Sequence, residues 1–227
     1  MKREGRRDPV ITIDGPVGAG KSTVSRVLAA RLGYRFVDTG AMYRALAWSV
    51  RAAAVDPDDG SALRRHLEST ELDLRDDGVS VNGRDVTGEI RTREISELTS
   101  RLSMLEPVRA KVTPLQRRLA AGGGVVLEGR DTGTVVCPDA EVKFYLTATQ
   151  GERARRRQAE FRADGMVVDI AVVRGEISAR DIQDETRALA PLRKAPDAVE
   201  IGTDGKTIEQ VVESMLWEIE QRCCTRS

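Results

Sequence analysis

A nine-residue loop near the start of the chain has the residue types and the spacing of a phosphate-binding loop (P-loop). It follows a short β-branched segment, Val10–Asp14, and reads Gly15-Pro16-Val17-Gly18-Ala19-Gly20-Lys21-Ser22-Thr23. Glycines let backbone N–H groups turn inward around phosphate oxygens, and the N-terminus of a following helix adds partial positive charge. Lys21 can reach the outer phosphates, and the Ser22 hydroxyl can bind Mg²⁺. We therefore predict that this loop binds the phosphates of a nucleotide together with Mg²⁺.

Arginines recur at positions where a second phosphate could meet them. Arg44 lies one turn into a predicted helix, and Arg130 follows a predicted core strand, where the ligands of open α/β sheets gather. Arg180, Asp184 and Arg187 are spaced i, i+4 and i+7, so they share one helix face. Phosphoryl transfer needs cations that align two anions, and the planar fork of Arg binds phosphate through two hydrogen bonds. For Arg180 and Asp184, an ordinary exposed ion pair remains an alternative.

Another group of arginines lies in a predicted helix at 152–162. The run Arg153-x-Arg155-Arg156-Arg157 would place cations over most of this short helix. Such a run could bind nucleotide phosphates, or it could be a solvated helix surface. The pattern alone leaves both interpretations open.

The elements that would position these residues alternate between strands and helices. A strand at 10–14, a helix from 21 to 33, a strand at 35–37 and a helix at 41–54 predict a parallel sheet flanked by helices. The same alternation returns after residue 121. There the predicted strands are 122–128, 141–146 and 197–201, and the predicted helices are 152–162, 169–186 and 207–222. The predicted fold class is therefore α/β.

The middle of the chain interrupts this alternation. Residues 56–91 contain several turn signals, including Asp76-Asp77-Gly78 and the hairpin dipeptide Asn82-Gly83 between short apolar pieces. We predict a small antiparallel insertion here, followed by helices at 92–104 and 107–121.

Composition and residue counts argue against several classes of protein. Of the 227 residues, Lys plus Arg number 36 and Asp plus Glu number 36, so the chain lacks the basic excess of proteins that grip DNA. No apolar stretch approaches the length that spans a membrane. We therefore expect neither nucleic acid nor a membrane as a partner. His66 is the only histidine, which argues against Ser-His-Asp and Cys-His chemistry, and we expect it to be solvated on a charged helix.

The cysteines and the N-terminal segment favour a cytoplasmic location. The three cysteines, Cys137, Cys223 and Cys224, match no metal-site spacing and suggest no disulfide framework. The first nine residues are polar and lack the apolar middle of a signal peptide. No exposed apolar helix face is evident in the sequence, so we expect a monomer.

Four further motifs accompany the loop in a fixed order. They are Asp38-Thr-Gly-Ala-Met-Tyr-Arg44, Gly88-Glu-Ile-Arg-Thr92, Glu128-Gly-Arg-Asp-Thr-Gly-Thr-Val-Val136 and Arg180-Asp-x-x-Asp184-x-x-Arg187-x-x-x-Pro191-Leu192. With them, the sequence closely resembles the bacterial cytidylate kinase family from about Val10 to Arg222. The motif at 128–136 and the extended insertion before it separate this family from adenylate, guanylate and thymidylate kinases.

The resemblance implies a fold and a reaction. The fold would be a P-loop NTPase core in a single domain over 10–222, with a monophosphate-binding insertion at about 56–105 and a short lid at about 151–166. Residues 1–9 and 223–227 would be tails. The reaction would be phosphorylation of the small molecules CMP and dCMP to CDP and dCDP, with ATP and Mg²⁺ as cofactors.

The resemblance also implies roles for individual residues. The CMP phosphate would contact Arg44, Arg130 and Arg187, with Thr39 standing where relatives often have Ser. The base would be read by Ser100, Arg109 and Asp131. Arg180 and Asp184 would lie near the sugar. The residues implied to be catalytic are Lys21, Arg130, Arg187 and the lid arginines Arg153 and Arg157.

Some alternatives stay open at the level of sequence. Asp38 and Glu128 could hold waters on Mg²⁺, or they could cap a helix or loop. The acceptor could be UMP or another small molecule. The chain could also be a nucleotide-dependent switch, although it has no Asn-Lys-x-Asp motif for reading guanine.

Overall fold

A computed structural model describes residues 7–75, 78–163 and 165–224. The chain divides into two compact units, one made of Met1–Phe36 with Gly122–Ser227 and the other of Val37–Ala121. Some sequence predictions fall outside the described residues: the tail residues 1–6 and 225–227, Asp76 and Asp77 of the predicted turn, and Asp164 of the predicted lid.

Strands and helices are numbered along the chain. The strands are β1 (Val10–Asp14), β2 (Arg35–Asp38), β3 (Leu72–Leu74), β4 (Val79–Val81), β5 (Arg84–Asp85), β6 (Val125–Glu128), β7 (Val142–Thr147) and β8 (Val199–Gly202). The α-helices are α1 (Lys21–Leu32), α2 (Thr39–Ala52), α3 (Gly60–Ser69), α4 (Arg93–Leu102), α5 (Glu106–Ala120), α6 (Gln150–Ala163), α7 (Ile170–Thr186) and α8 (Ile208–Cys224). A single π-helical turn spans Thr132–Val136.

The first unit is built on a five-stranded sheet with the strand order β2-β6-β1-β7-β8. Strand β1 pairs in parallel with β6 and with β7, and β7 pairs in parallel with β8. All five residues of β1 are buried, as expected for a β-branched strand in the middle of a parallel sheet. The predicted α/β class with a parallel sheet and flanking helices is therefore confirmed.

Two apolar clusters hold the helices of this unit in place. Helices α1 and α8 pack on the central strands through residues such as Leu28, Phe144 and Met215. Helices α6 and α7 form a smaller cluster that includes Phe161 and Ile177. Full burial of one such side chain is worth about 1.5–3 kcal/mol, so packing, rather than the Arg-rich sequence of α6, stabilises that helix.

The second unit contains an antiparallel sheet and four helices. Its strands lie in the order β3-β4-β5, with Leu74 opposite Val79 and Val81 opposite Arg84. Asn82 and Gly83 connect β4 to β5 with φ of +48° and +79°, the left-handed pair that a two-residue hairpin turn requires. The predicted antiparallel insertion and its Asn-Gly hairpin are therefore confirmed.

Two features differ from the sequence predictions. His66 does lie on a helix, α3, but it is half-buried, and its Nε2 lies 3.1 Å from Ser49 Oγ of α2. The expectation of a solvated histidine was wrong because α3 packs against α2. The π-helical turn at Thr132–Val136 was not predicted, since periodicity does not distinguish one π turn from a loop. Within the described ranges, no helix combines the length and the apolar character needed to cross a membrane.

Candidate active site

The predicted phosphate-binding loop connects β1 to α1, the context that its spacing requires. Gly15 has φ of +148°, and a Cβ there would lie 2.1 Å from the backbone oxygen of Leu146 in β7. Gly20 forms the N-cap of α1 with φ of +84°, and a glycine has no side chain that could cap the helix. The first N–H groups of α1 are therefore left for another acceptor, and phosphate oxygens suit them.

Lys21 opens α1 and is almost completely buried, with 4% of its surface exposed. Its Nζ donates a hydrogen bond of 2.8 Å to the carbonyl oxygen of Pro16 and lies 4.0 Å from Glu128 Oε1. Burial, with the positive charge of Arg130, lowers the pKa of Lys21 to about 7, against the opposing effect of Glu128. The nearby carboxylate does not fully compensate the lysine, so an incoming polyanion would stabilise its charged form.

Ser22 and Glu128 bring two oxygen ligands to the same edge of the sheet. Ser22 Oγ donates a 2.9 Å hydrogen bond to Glu128 Oε2. Glu128 is the last residue of β6 and lies opposite Ile13 of β1, so the strand ends place it beside the loop. A hydroxyl and a carboxylate are the oxygen ligands that Mg²⁺ prefers.

The motif residues of α7 form a buried charge cluster with two residues that follow β6. Asp184 is 2% exposed and accepts hydrogen bonds from Arg130 Nε at 3.0 Å and Arg180 Nε at 3.3 Å. Arg187 lies 3.9 Å from Asp184, and its second terminal nitrogen donates to Asp131 Oδ1 at 3.3 Å. Burial would raise the pKa of Asp184, but the three arginines hold it below its usual value. An ordinary exposed pair between Arg180 and Asp184 is thus excluded.

The two arginines of α6 that were predicted to be catalytic, Arg153 and Arg157, lie in different environments. Arg153 is 7% exposed, forms a 2.7 Å ion pair with Asp181 and donates to the carbonyl oxygen of Val17 in the loop at 3.2 Å. Arg157 pairs with Glu160 at 2.8 Å and lies over the Phe161 ring. The structure therefore brings Arg153, but not Arg157, to the phosphate-binding loop.

Arg156 is a loop neighbour that sequence reasoning did not single out from the run at 153–157. It donates to both the side chain and the carbonyl oxygen of Thr203, at 2.9 and 2.8 Å. A Cβ on Gly20 would lie 3.5 Å from its guanidinium. The only signal in the sequence was its place in the arginine run, because Thr203 is 47 residues away.

Asp14 is a second residue that the sequence analysis missed. It ends β1 and is 4% exposed, and its carboxylate accepts hydrogen bonds from the backbone of Thr132 at 2.9 Å and of Gly133 at 2.8 Å. Burial raises the pKa of Asp14 to about 6, although these hydrogen bonds oppose the rise. An acidic residue that directly follows a buried apolar strand was the signal available.

The second unit holds the other predicted substrate residues. Asp38 caps α2 by accepting from Ala41 N at 2.8 Å, and it also pairs with Arg44 at 2.8 Å and with Arg91 at 3.4 Å. The helix-capping alternative for Asp38 is thus observed. The motif at 88–92 did not predict the contact of Arg91 with Asp38. Thr39, the first residue of α2, is buried.

The predicted base-reading residues of this unit lie on α4 and α5. Ser100 is half-buried on α4. Arg109 on α5 is 7% exposed, donates to the carbonyl oxygen of Ser103 at 3.3 Å and has its guanidinium 5.9 Å from the centre of the Tyr43 ring. A buried guanidinium beside an aromatic ring is suited to hold a planar ligand.

Comparison with known proteins identifies the family of this chain. A family profile described as cytidylate kinase matches residues 11–221. The cytidylate kinase of Geobacter sulfurreducens is 47% identical over 219 residues, which cover 95% of this chain and 94% of that protein. The cytidylate kinase of Symbiobacterium thermophilum is 45% identical over 218 residues, which cover 94% of this chain and 96% of that protein.

Two further comparisons concern length and fold. The bifunctional pantoate ligase/cytidylate kinase of Synechococcus elongatus is 49% identical over 222 residues, which cover 94% of this chain but 42% of that protein. The chain thus spans about two fifths of the bifunctional relatives that it matches. Shikimate kinase from Acinetobacter baumannii shares the fold, with a TM-score of 0.51, 15% identity and 94% of each chain covered. The match of the family profile to nearly the whole chain, together with relatives at 45–47% identity over 94–96% of their length, shows that the chain belongs to the cytidylate kinase family.

Proposed function

We propose that this protein transfers the terminal phosphoryl group of ATP to CMP or dCMP, giving ADP and CDP or dCDP. The observation that carries the proposal is the position of Arg130. It lies two residues after Glu128, whose carboxylate is 4.0 Å from Lys21 Nζ in the phosphate-binding loop. It also donates to Asp184, in the charge cluster that includes Arg187 and Asp131. One arginine would therefore contact both the donor loop and the acceptor side of the site.

The chain would stabilise the transfer mainly through charge. Lys21 and the N-terminus of α1 would bind the outer phosphates of ATP, and Arg130 and Arg187 would hold the acceptor phosphate in line with them. Arginine stays charged at every relevant pH, so Arg130 and Arg187 would carry positive charge when negative charge develops on the transferred group. Arg153, already bonded to the loop at Val17, would orient the loop, and the resemblance adds Arg157 of the lid.

The residues near the loop fit a Mg²⁺ ion that is bound mostly by the nucleotide. Ser22 and Glu128 supply the oxygen ligands described above. No group of three or more His, Cys, Asp or Glu side chains among the described residues could hold a metal by itself. Mg²⁺ commonly uses one or two protein ligands with substrate phosphates and water, and it would neutralise phosphate charge when bound.

The choice of base would depend on the pattern of hydrogen-bond donors and acceptors. Cytosine has an amino donor at N4, which the Asp131 carboxylate could accept, and ring acceptors to which Arg109 could donate. Uracil has an acceptor in place of that amino group and a proton on N3, so both contacts are mismatched. An unpaired buried polar group costs about 1–3 kcal/mol, which corresponds to roughly 10- to 100-fold discrimination for each lost bond.

Contacts near the sugar would be less selective. Asp184 and Arg180 are already paired with each other, and a sugar hydroxyl would compete for the same lone pairs and protons. Such a weak preference is compatible with the use of both CMP and dCMP. We further propose that the protein is a cytoplasmic monomer. Arg44, Thr39 and Ser100 would also bind the acceptor, residues 56–105 would form the insertion and residues 151–166 the lid.

The proposal is tested by measuring ADP release from ATP and Mg²⁺ with a panel of nucleoside monophosphates. We expect CMP and dCMP to accelerate ADP release, with kcat/KM at least about 10-fold above that for UMP. Lys21→Met, which keeps the length of the side chain but removes its charge, should lower turnover by orders of magnitude while the circular dichroism spectrum stays that of the wild type.

Two outcomes would contradict the proposal in different ways. Faster turnover with UMP or AMP than with CMP would show that the acceptor is wrong. If no monophosphate accelerates ADP release, the protein is not a transferase of this kind, and the alternative of a slowly hydrolysing nucleotide switch is favoured.

A further inference from the structure

The buried carboxylate of Asp14 is used by none of the steps above. It lies at the end of β1, next to the phosphate-binding loop, yet the three hydrogen bonds that it accepts come from the segment after Arg130. Thr132 donates to Oδ1 with its backbone N–H at 2.9 Å and with its hydroxyl at 2.8 Å. Gly133 donates to Oδ2 with its backbone N–H at 2.8 Å. Both carboxylate oxygens are thus occupied by one short piece of chain.

That piece of chain is the start of the π-helical turn at Thr132–Val136. The N–H groups of Val135 and Val136 both donate to the carbonyl oxygen of Asp131, at 2.9 and 3.1 Å, and the N–H of Cys137 donates to the carbonyl oxygen of Thr132 at 2.8 Å. Asp131 itself is not helical, with φ of −141° and ψ of +22°. The direction of the Asp131 side chain therefore depends on how the turn that begins at Thr132 is held.

Close packing holds the same turn from the other side. A Cβ on Gly133 would lie 2.8 Å from Thr12 Oγ1, 3.3 Å from Lys143 Cδ and 3.4 Å from Asp14 Oδ2. Thr12 belongs to β1 and Lys143 to β7, so Gly133 lies directly against the two strands. The turn has little room to move toward the sheet, and the Asp14 hydrogen bonds prevent it from moving away.

We propose that Asp14 is a positioning residue for the acceptor side of the site, holding Thr132 and Gly133 so that Asp131 and its ion pair with Arg187 are oriented to select the base. This inference rests on the proposed use of CMP. Asp14 would act through Asp131 and would not touch the substrate. Because the Asp14 carboxylate is hydrogen-bonded to the 132–133 segment, removing that carboxylate should weaken the binding of the acceptor more than the binding of ATP.

The ionisation of Asp14 is consistent with this role. Burial raises its pKa to about 6, so at pH 8 both oxygens are free of protons and can accept. The negative charge of Asp131 also raises the pKa of Asp14. The Asp14 carboxylate in turn acts to raise the pKa of Lys21 and of Arg130. Assays at pH 8 therefore keep the wild-type carboxylate in its accepting form.

Asp14→Asn is the most direct test because it keeps the size of the side chain. The amide oxygen can still accept both bonds from Thr132, but the amide nitrogen would face the N–H of Gly133, donor against donor. We expect KM for CMP to rise about 10-fold and the CMP/UMP ratio of kcat/KM to fall, while kcat and KM for ATP change less than about 3-fold. Hydrogen exchange of the Thr132 and Gly133 amides should be faster than in the wild type.

Asp59→Asn is a matched control. Asp59 also accepts two backbone N–H groups and a hydroxyl, from Ser61 and Ala62 at the start of α3, but it is exposed. We expect its kinetic constants to equal those of the wild type. Met215→Ala, which leaves a cavity in the core under α8, reports whether lower stability alone changes KM.

The possible results separate this inference from the proposed function. An unchanged KM for CMP with unchanged amide exchange would overturn it, as would an equal rise of KM for ATP and CMP. If the wild type does not phosphorylate CMP, the proposed function fails. Amide exchange would still test whether Asp14 holds Thr132 and Gly133 in place. If Asp14→Asn does not fold, Thr132→Val removes the hydroxyl bond alone. A rise of about 3-fold in KM for CMP only would then support the inference, and no rise would overturn it.

Discussion

Lys21 illustrates how burial and charge compete at a single residue. Its amine is inside the loop, bonded to the carbonyl oxygen of Pro16, and the nearest carboxylate, Glu128, lies 4.0 Å away. Arg130 adds a like charge, so the pKa of Lys21 falls to about 7. The folded protein thus carries a cation that is poorly compensated until an anion arrives. The charged form of Lys21 is therefore destabilised in the free protein, and a bound phosphate would remove that destabilisation.

The first prediction concerns the pH dependence of stability. Because the pKa of Lys21 is near 7 in the folded state and near 10.5 in the unfolded chain, the unfolded chain binds more protons between these values. The stability of the wild type relative to Lys21→Met should therefore rise with pH across pH 7 to 10.5, by up to about 1.4 kcal/mol per pH unit. Urea unfolding of both proteins at several pH values measures this difference. Parallel stability curves would show that the lysine keeps its ordinary pKa.

The second prediction concerns Asp131, which is 6% exposed and bonded to Arg187. Asp131→Asn replaces a charged acceptor by a neutral amide, which accepts more weakly and can also donate. The contact with N4 of CMP should therefore weaken, and UMP could gain a donor for its O4. We expect kcat/KM for CMP to fall at least about 10-fold and the CMP/UMP ratio to narrow, as measured by competing the two acceptors.

The control for Asp131 is Glu213→Gln, the same carboxylate-to-amide change in the exposed ion pair with Arg31. It should leave the ratio unchanged because exposed pairs contribute little. An unaltered CMP/UMP ratio in Asp131→Asn would remove Asp131 from the base pocket.

At the scale of elements, parallel strand pairing gathers the site at one edge of the sheet. Ile13 lies opposite Glu128 and Asp14 lies opposite Tyr145, so β1 and β6 end within one residue of each other and β7 ends two residues further on. The loop follows β1, the segment with Arg130 and Asp131 follows β6, and α6 comes soon after β7. The carboxyl ends of parallel strands are where ligands of such sheets bind.

The third prediction tests how closely the loop approaches β7. In Gly15→Ala the new Cβ would lie 2.1 Å from the backbone oxygen of Leu146, which cannot rotate away. We expect a loss of more than about 3 kcal/mol in the free energy of unfolding. Gly33→Ala is the control, because φ there is +68° but no heavy atom lies within 4 Å of the new Cβ. It should cost about 1–2 kcal/mol. Equal losses in urea unfolding would contradict the close approach.

At the scale of the whole molecule, balanced charge coexists with a local concentration of arginine. Lys plus Arg and Asp plus Glu number 36 each in the whole chain. In the first unit, however, Arg130, Arg180 and Arg187 all lie within 4 Å of the Asp184 carboxylate, and Arg187 also pairs with Asp131. Such a cluster attracts a small anion without giving the molecule a basic surface, which agrees with a nucleotide as the ligand.

The fourth prediction is that CMP stabilises the folded protein. A ligand at 100 times its dissociation constant adds about 2.7 kcal/mol, which corresponds to a rise in Tm of about 5–10 °C for a chain of this length. Cytidine, which lacks the phosphate, should give a smaller shift because Arg130 and Arg187 would have no partner in it. Scanning fluorimetry with CMP, UMP and cytidine at equal concentrations measures this. An equal shift for CMP and UMP would contradict base selection.

The sequence by itself determined the phosphate-binding loop, the alternation of strands and helices, the Asn82-Gly83 hairpin and the family. These follow from local rules: a turn that needs glycine, a helix that begins after it, and apolar residues at strand or helix spacing. The face shared by Arg180, Asp184 and Arg187 was likewise readable from helical geometry. Their burial was not readable, and neither was the half-buried position of His66.

Only the tertiary structure decided which polar groups meet. Asp14 reaches Thr132 across 118 residues, Arg130 reaches Asp184 across 54, and Arg156 reaches Thr203 across 47. No local pattern predicts such pairs, because they depend on the strand order and on where α7 and the residue after β8 lie in the fold. The loop by itself predicts a phosphate ligand. Folding also buries Asp131 against Arg187, 56 residues along the chain. That burial is what would let the Asp131 carboxylate select an acceptor, because a carboxylate in water bonds to water instead.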